Sequence, residues 1–328
     1  MGGSEALISD VGEFGLIERI GTWLADQPAQ GVAVGLGDDA AVVMAGSGEV
    51  VVSTDMLVEG RHFRRDWSTG ADVGAKAAAE NLADLAAMGA RGTTLVVALG
   101  LPADLPVDWV GDLYAGLRDE ADPWAVAIVG GDVVRGDRVV VSVTALGTLA
   151  GQAPVLRSGA RPGDVVAVAG RLGWAAAGLS ILSRGFRTPR ALVDAHRRPA
   201  PPYQAALAAA GGGATAMIDV SDGLVADLGH VARASRVAVE IDPGLLVVDE
   251  PVASAAAAFN ADPLVWVLTG GDDHAIAAAF PDEQALPEGF AAIGRVSAVE
   301  DVEVLEGPGV TVAGRVPRGG GGHDHFAG

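Results

Sequence analysis

The chain has 328 residues, half of them hydrophobic, which is enough apolar material for a substantial core and, by length, for two domains. Its 42 acidic residues against 22 basic ones give a formal charge of −20, a field that repels nucleic acid and anionic membrane surfaces, so any polyanionic ligand must be met locally. Cysteine is absent, which excludes disulfides, thiolate metal sites and cysteine nucleophiles.

In chain order, the opening Met1-Gly2-Gly3-Ser4-Glu5 carries neither a basic segment nor an apolar stretch, and no run of about 18 apolar residues follows anywhere. The expectation is a cytoplasmic protein with no membrane and no nucleic-acid partner. Lys76 is the only lysine, and the arginines are dispersed rather than clustered in a strip. Val50 to Ser53, Thr93 to Leu99, Val126 to Val129 and Val139 to Leu146 read as strands, with Ala71 to Met88 the clear helix between them. Between Gly147 and Gly163 the pattern loosens into Gly, Ala and Pro, and the domain boundary is placed there, giving 1–150 and 151–328. Next come a strand at Val165 to Ala169, an Ala-rich helix at Trp174 to Ser183, a Pro-rich connector at Pro199 to Pro202, a strand at Ala216 to Val220 and a helix from Leu224. Trp266 to Thr269 reads as a strand running into Gly270-Gly271-Asp272-Asp273, an echo of Val126 to Val129 running into Gly130-Gly131-Asp132. Paired glycines there let the backbone turn sharply and approach a ligand.

Several acidic signals follow or interrupt apolar elements instead of lying on a polar face: Gly37-Asp38-Asp39, Ser53-Thr54-Asp55, Gly130-Gly131-Asp132 and Asp219-Val220-Ser221-Asp222-Gly223. Asp84 lies three residues after Asn81 in an Ala- and Leu-rich helix, so the two share a face. Aspartates without His or Cys suit a hard cation such as Mg²⁺, which takes oxygen ligands and bridges phosphates. Aspartate is equally common in turns and at helix caps, and Asp222 before the helix from Leu224 also reads as a cap. The phosphate-binding loop, the dinucleotide fingerprint and the protein-kinase motifs are all missing. Metals and helix N-termini must then supply the positive field, and the turns Ser221 to Leu224 and Gly170 to Gly173 are candidate helix starts for anions.

Gly12-Glu13-Phe14-Gly15-Leu16-Ile17, Gly37-Asp38-Asp39 and Ser53-Thr54-Asp55-Met56-Leu57-Val58-Glu59-Gly60-Arg61-His62-Phe63 resemble successive signatures of the thiamine-monophosphate kinase family. Asn81 to Ala90, Gly130-Gly131-Asp132, Arg157-Ser158-Gly159, Asp219 to Leu224 and Asp324-His325-Phe326 continue in family order over nearly the whole chain.

The resemblance implies an α/β protein of two domains with the PurM-like architecture of aminoimidazole-ribonucleotide-synthetase-like enzymes. Its N-terminal part, 1–150, is an α+β domain with a mixed sheet that binds ATP and Mg²⁺ and pairs with its copy in a homodimer. Its C-terminal part, 151–328, is an α/β domain that completes the active site, with ATP between the two. Asp39, Thr54, Asp55, Asp84, Asp132, Asp219 and Asp222, with Ser53 beside them, match positions that hold several Mg²⁺ ions. Gly131, Asp132, Arg157 and Ser221, with Tyr114 in addition, match nucleotide contacts, and His62, Asp272 and His323 match positions at thiamine phosphate. The implied reaction is in-line transfer of the ATP γ-phosphoryl group to thiamine phosphate, giving thiamine diphosphate, without a covalent protein nucleophile. Two departures stand out: the family pattern Gly-Gly-Glu-Asp-Tyr is here Gly270-Gly271-Asp272-Asp273-His274, and His323 stands where an aromatic residue often precedes Asp-His-Phe. A related ATP enzyme with another acceptor, or a non-catalytic nucleotide-binding or metal-binding relative, remain the alternative readings.

Overall fold

Strand Val140–Thr148 alternates strictly between buried and partly exposed residues, with Val141, Val143 and Ala145 turned fully inward. Such a period of two is what one covered sheet face demands. The computed structural model describes residues 6–34, 42–44, 48–302, 304–306 and 309–317. The chain divides into two units, Met1–Leu85 with Arg91–Gly151 and Ala86–Ala90 with Gln152–Gly328.

The first unit contains, in order, α1 (Ile8–Trp23), β1 (Val32–Val34), β2 (Val42–Val43), β3 (Val50–Val58), α2 (Gly70–Ala87), β4 (Arg91–Leu101), α3 (Val107–Ala121), β5 (Ala127–Arg135) and β6 (Val140–Thr148). β1 and β2 form a small antiparallel ribbon. The main sheet has four strands in the order β3-β6-β4-β5, with β4 and β5 parallel and the other pairs antiparallel. α3 buries Val107, Val110, Leu113, Tyr114, Leu117 and Ala121 along one helical stripe. Glycine lets α2 and α3 meet backbone to backbone: a Cβ at Gly74 would stand 1.9 Å from the Leu113 carbonyl oxygen, and one at Gly116 1.9 Å from that of Ala71. Leu82 and Leu85 of α2 close over Gly92 of β4, which seats the helix on the inner sheet face.

The second unit contains β7 (Val165–Ala169), α4 (Trp174–Ser183), α5 (Arg190–Arg197), α6 (Tyr203–Gly211), β8 (Ala216–Val220), α7 (Leu224–Ser235), β9 (Ala238–Ile241), α8 (Glu250–Ala258), α9 (Pro263–Thr269), β10 (Ala275–Phe280), β11 (Phe290–Ser297) and β12 (Gly309–Val312). Its sheet has six strands in the order β12-β9-β11-β7-β10-β8, antiparallel except for the β12–β9 pair. β7, β8 and β10 are buried along their whole length; β7 and β10 are unbroken apolar runs, and β8 is interrupted only by Asp219. Leu224, Leu228, Val231 and Ala232 of α7 join Val166, Ile218, Val220 and Val239 in one core.

Trp266 to Thr269 corrects the sequence reading. These residues end helix α9, and the reason lies just upstream: the Asp262 carboxylate accepts the N–H of Leu264 at 2.9 Å, and Pro263 occupies the first turn. A cap followed by proline starts a helix where a short apolar run alone cannot tell helix from strand. The second Gly-Gly-Asp therefore follows a helix, while Gly130-Gly131-Asp132 lies inside β5, so the two echoes are not structurally equivalent. Among the described residues no helix is long and apolar enough to cross a membrane.

Candidate active site

In the first unit β3 and α2 bring the acidic residues together. Ser53, Asp55 and Leu57 alternate onto the inner row, opposite Ala145, Val143 and Val141 of β6. From there the Ser53 hydroxyl donates to Oδ2 of Asp84 at 2.5 Å. On the same helix Asn81 is buried and its side-chain N–H donates to the Ala77 carbonyl at 2.9 Å, while its Oδ1 has no hydrogen-bond partner among the described residues. Hydroxyl, carboxylate and amide oxygens with no nitrogen or sulfur ligand form a donor set that fits Mg²⁺.

Other expected residues lie elsewhere in this unit. Thr54 alternates to the outer row, where its hydroxyl donates to the Val143 carbonyl at 3.0 Å and lies 3.0 Å from that of Thr144. Asp132 is registered opposite Ala98, also on the outer row, and its Oδ1 accepts the N–H of Val133. Strand alternation thus separates Thr54 and Asp132 from Ser53, Asp55 and Asp84. Gly131 is explained by packing: a Cβ there would stand 1.8 Å from the Val97 carbonyl oxygen, whereas one at Gly130 would meet open space. Tyr114 was expected at the nucleotide. It is 3% exposed in the helical core, its ring centroid 6.2 Å from that of Trp23, and burial pushes its phenol upward. In the turn after β3, His62 accepts the N–H of Val58 at Nδ1, 2.9 Å away, which puts the neutral ring's proton on Nε2.

In the second unit the acidic residues gather at the end of β8. Asp219 is 3% exposed, and its Oδ2 lies 3.0 Å from Nδ1 of His274. The loop after the strand receives the segment 270–274: Asp272 donates its N–H to the Ser221 carbonyl at 2.9 Å and His274 to that of Val220 at 3.0 Å. Asp272 and His274 both have positive φ, 66° and 49°, and a Cβ on Gly271 would stand 2.4 Å from the Ser221 oxygen. Asp272 is half-buried, with Oδ2 3.9 Å from Nδ1 of buried His196 on α5. Arg157 is exposed, and its carbonyl accepts the Ser235 hydroxyl.

Both turns expected to bind anions are filled from within. At the start of α7 the Asp227 carboxylate accepts the N–H of Asp222 and of Gly223, each at 3.0 Å. At the start of α4 the Asp273 carboxylate accepts those of Gly173, at 2.5 Å, and Ala175, at 2.8 Å. Burial, then the charges of Asp219 and Asp222, push the Asp227 carboxyl up to about 7. Burial likewise pushes Asp273 up to about 7 against the pull of its two amide donors. Gly223 is the N-cap of α7 and no side chain caps the helix there, so the cap reading of Asp222 falls away. Asp227 and His196 were missed by sequence reasoning, and Asp273 and His274 were noted only as part of the Gly270 to His274 motif, without a role. A carboxylate in the first turn of an apolar helix was the one signal available, for Asp227. Asp39 and His323, with the motifs Gly37-Asp38-Asp39 and Asp324-His325-Phe326, lie outside the described residues.

Two sequence models cover this arrangement: the AIR synthase related protein N-terminal domain matches residues 37–149 and its C-terminal domain residues 161–306. The chain thus carries both domains of the AIR synthase related class. Within it, the thiamine-monophosphate kinase of Mycobacterium tuberculosis is 50% identical over 290 residues, 88% of this chain and 86% of the relative. The crystal structure of thiamine-monophosphate kinase from Stenotrophomonas maltophilia matches with a TM-score of 0.78 at 33% identity, covering 92% of this chain and 96% of that one. AaThiL complexed with AMPPCP and TMP matches with a TM-score of 0.77 at 31% identity, covering 98% and 100%. The chain belongs to the thiamine-monophosphate kinase family.

Proposed function

We propose that this protein transfers the γ-phosphoryl group of ATP to the phosphate of thiamine phosphate, giving thiamine diphosphate and ADP. The observation that carries the reading is the pairing of Ser53 with Asp84, beside Asp55 on the same row: side chains that offer oxygen ligands only. A phosphate acceptor is already an anion, so the barrier is repulsion and positioning rather than proton removal. One acceptor oxygen forms the new P–O bond as the bond to the ADP oxygen breaks, and no protein group need carry a proton. Mg²⁺, when bound, supplies the positive charge that offsets this repulsion.

Ser53, Asp55 and Asp84 in the first unit, and Asp219 and Asp222 in the second, are the residues we assign to Mg²⁺. Asp39, Thr54 and Asp132 extend that set on resemblance alone. Asp272, His62 and His323 are assigned to thiamine phosphate, and Gly131, Arg157 and Ser221 to ATP, on the same ground. An acidic chain can bind two phosphate-bearing substrates in this way because its aspartates hold the metals and the metals hold the phosphates. The cytoplasmic setting belongs to this proposal, since ATP is the co-substrate.

We further assign a homodimer to the outer face of the first unit's sheet. Val52, Met56 and Val134 are 59%, 52% and 55% exposed there, apolar side chains that a second copy would cover. Sedimentation should give twice the chain mass of 32.9 kDa at micromolar concentration, and a monomer mass would overturn the assignment. The reaction itself is tested by ADP release with and without thiamine phosphate, with mass spectrometry of the product. Release that depends on thiamine phosphate and yields thiamine diphosphate is expected; release indifferent to it would refute the reading.

A further inference from the structure

Asp219 lies in β8, whose five residues are all buried, so its carboxylate cannot rely on water. The partner comes from 55 positions further along the chain. After α9 the backbone turns at Gly270-Gly271, and the N–H groups of Asp272 and His274 are fixed on the carbonyls of Ser221 and Val220. His274 takes this position at φ 49°, in the left-handed region that His, Asn and Asp enter more readily than other side chains. That conformation delivers Nδ1 to within 3.0 Å of Asp219 Oδ2. An ionised carboxylate only accepts hydrogen bonds, so Nδ1 must carry the proton.

We propose that His274 is a positioning residue for Asp219: its Nδ1–H ties Oδ2, fixes the rotation of the carboxylate and leaves Oδ1 to take a cation. The inference rests on the assignment of Asp219 to Mg²⁺ made above. Tyrosine, which the family pattern carries here, has its only polar atom at the far end of the ring. A tyrosine hydroxyl cannot stand where Nδ1 stands, directly on the first ring carbon. Histidine therefore places at Asp219 a donor close to its own backbone, while the positive φ and the two backbone bonds hold that donor still.

The test uses the full-length protein. Mg²⁺ affinity is measured by isothermal titration in the presence of AMPPCP, together with turnover against Mg²⁺ and circular dichroism. His274→Phe keeps a ring and removes the donor; His274→Gln moves the donor one carbon outward and serves if the phenyl ring prevents folding. His274→Asn suits the positive φ and carries an N–H near the Nδ1 position. Removing an outer donor to a metal-binding carboxylate costs about 10–100-fold in metal affinity, so Phe or Gln should weaken Mg²⁺ binding by that much and Asn by less than roughly 5-fold. In an Asp219→Asn background His274→Phe should add nothing, because the residue acts through Asp219. Parental Mg²⁺ affinity in folded Phe or Gln variants would overturn the proposal, as would effects of the two substitutions that simply multiply. Parental affinity in Asp219→Asn alone would instead overturn the assignment of Asp219 to the metal.

Discussion

The carboxylate of Asp227 holds the backbone of Asp222: Oδ2 receives the Asp222 N–H at 3.0 Å and shares itself with that of Gly223 at the same distance. Asp227 is 3% exposed, so the bond is made away from water and shapes the loop that carries Ser221 and Asp222. Asp227→Ala leaves these donors without their acceptor and should lower stability by about 1–3 kcal/mol in urea denaturation. Asp227→Asn retains an acceptor oxygen and should fold with a midpoint closer to the parent's. An alanine variant as stable as the parent would show that water replaces the carboxylate at no cost.

Asp273 gives a pH dependence with a definite sign. Its folded pKa of about 7 lies above the ordinary 3.8, chiefly through burial, so the folded state binds the proton more tightly than the unfolded chain. The resulting stability is fully present below the ordinary value and is lost as pH rises through about 7. Denaturation midpoints measured from pH 4.5 to 8 should fall with pH, with a limiting slope of about 1.4 kcal/mol per unit from this group. Asp273→Asn should remove this group's share of the slope and leave that of Asp227, which is also raised to about 7; an unchanged slope would place the titration elsewhere.

Gly131 and Gly130 should respond unequally to alanine. At Gly131 the added methyl would sit 1.8 Å from the Val97 carbonyl oxygen, within a parallel strand pair that cannot part without losing its ladder. At Gly130 it meets open space. Gly131→Ala should lower the thermal midpoint markedly and Gly130→Ala by little, since overpacking against well-packed neighbours costs about 1–3 kcal/mol or more. Equal midpoints would mean that β5 shifts freely.

The alternation of Val139 to Leu146 and the Ala- and Leu-rich stretch over Ala71 to Met88 were plain from the chain, because period reports which face is covered. The acidic motifs were also plain, and the structure adds the pairing of Ser53 with Asp84. What stayed hidden depends on contacts distant in sequence. Asp273 reaches Gly173 across 100 positions and His274 reaches Asp219 across 55, and neither spacing leaves a local pattern. Alternation, by contrast, was available and not applied to Ser53-Thr54-Asp55, where it already places the middle residue on the other face. Helix α9 was misread because a four-residue apolar run outweighed the Asp262-Pro263 start signal.

The most direct test concerns Asp84 and Asp222. Each is changed to Asn, which preserves shape and removes one negative charge. Asp84→Asn keeps a side-chain oxygen for the Ser53 hydroxyl, and Asp222 makes no side-chain cap to lose, so both variants should fold with parental circular dichroism. Turnover is then measured against Mg²⁺ concentration. If these carboxylates hold Mg²⁺ for phosphoryl transfer, each variant should lose at least about 100-fold in turnover, with the residual activity needing more Mg²⁺. Two folded variants with near-parental turnover and an unchanged Mg²⁺ dependence would contradict the account.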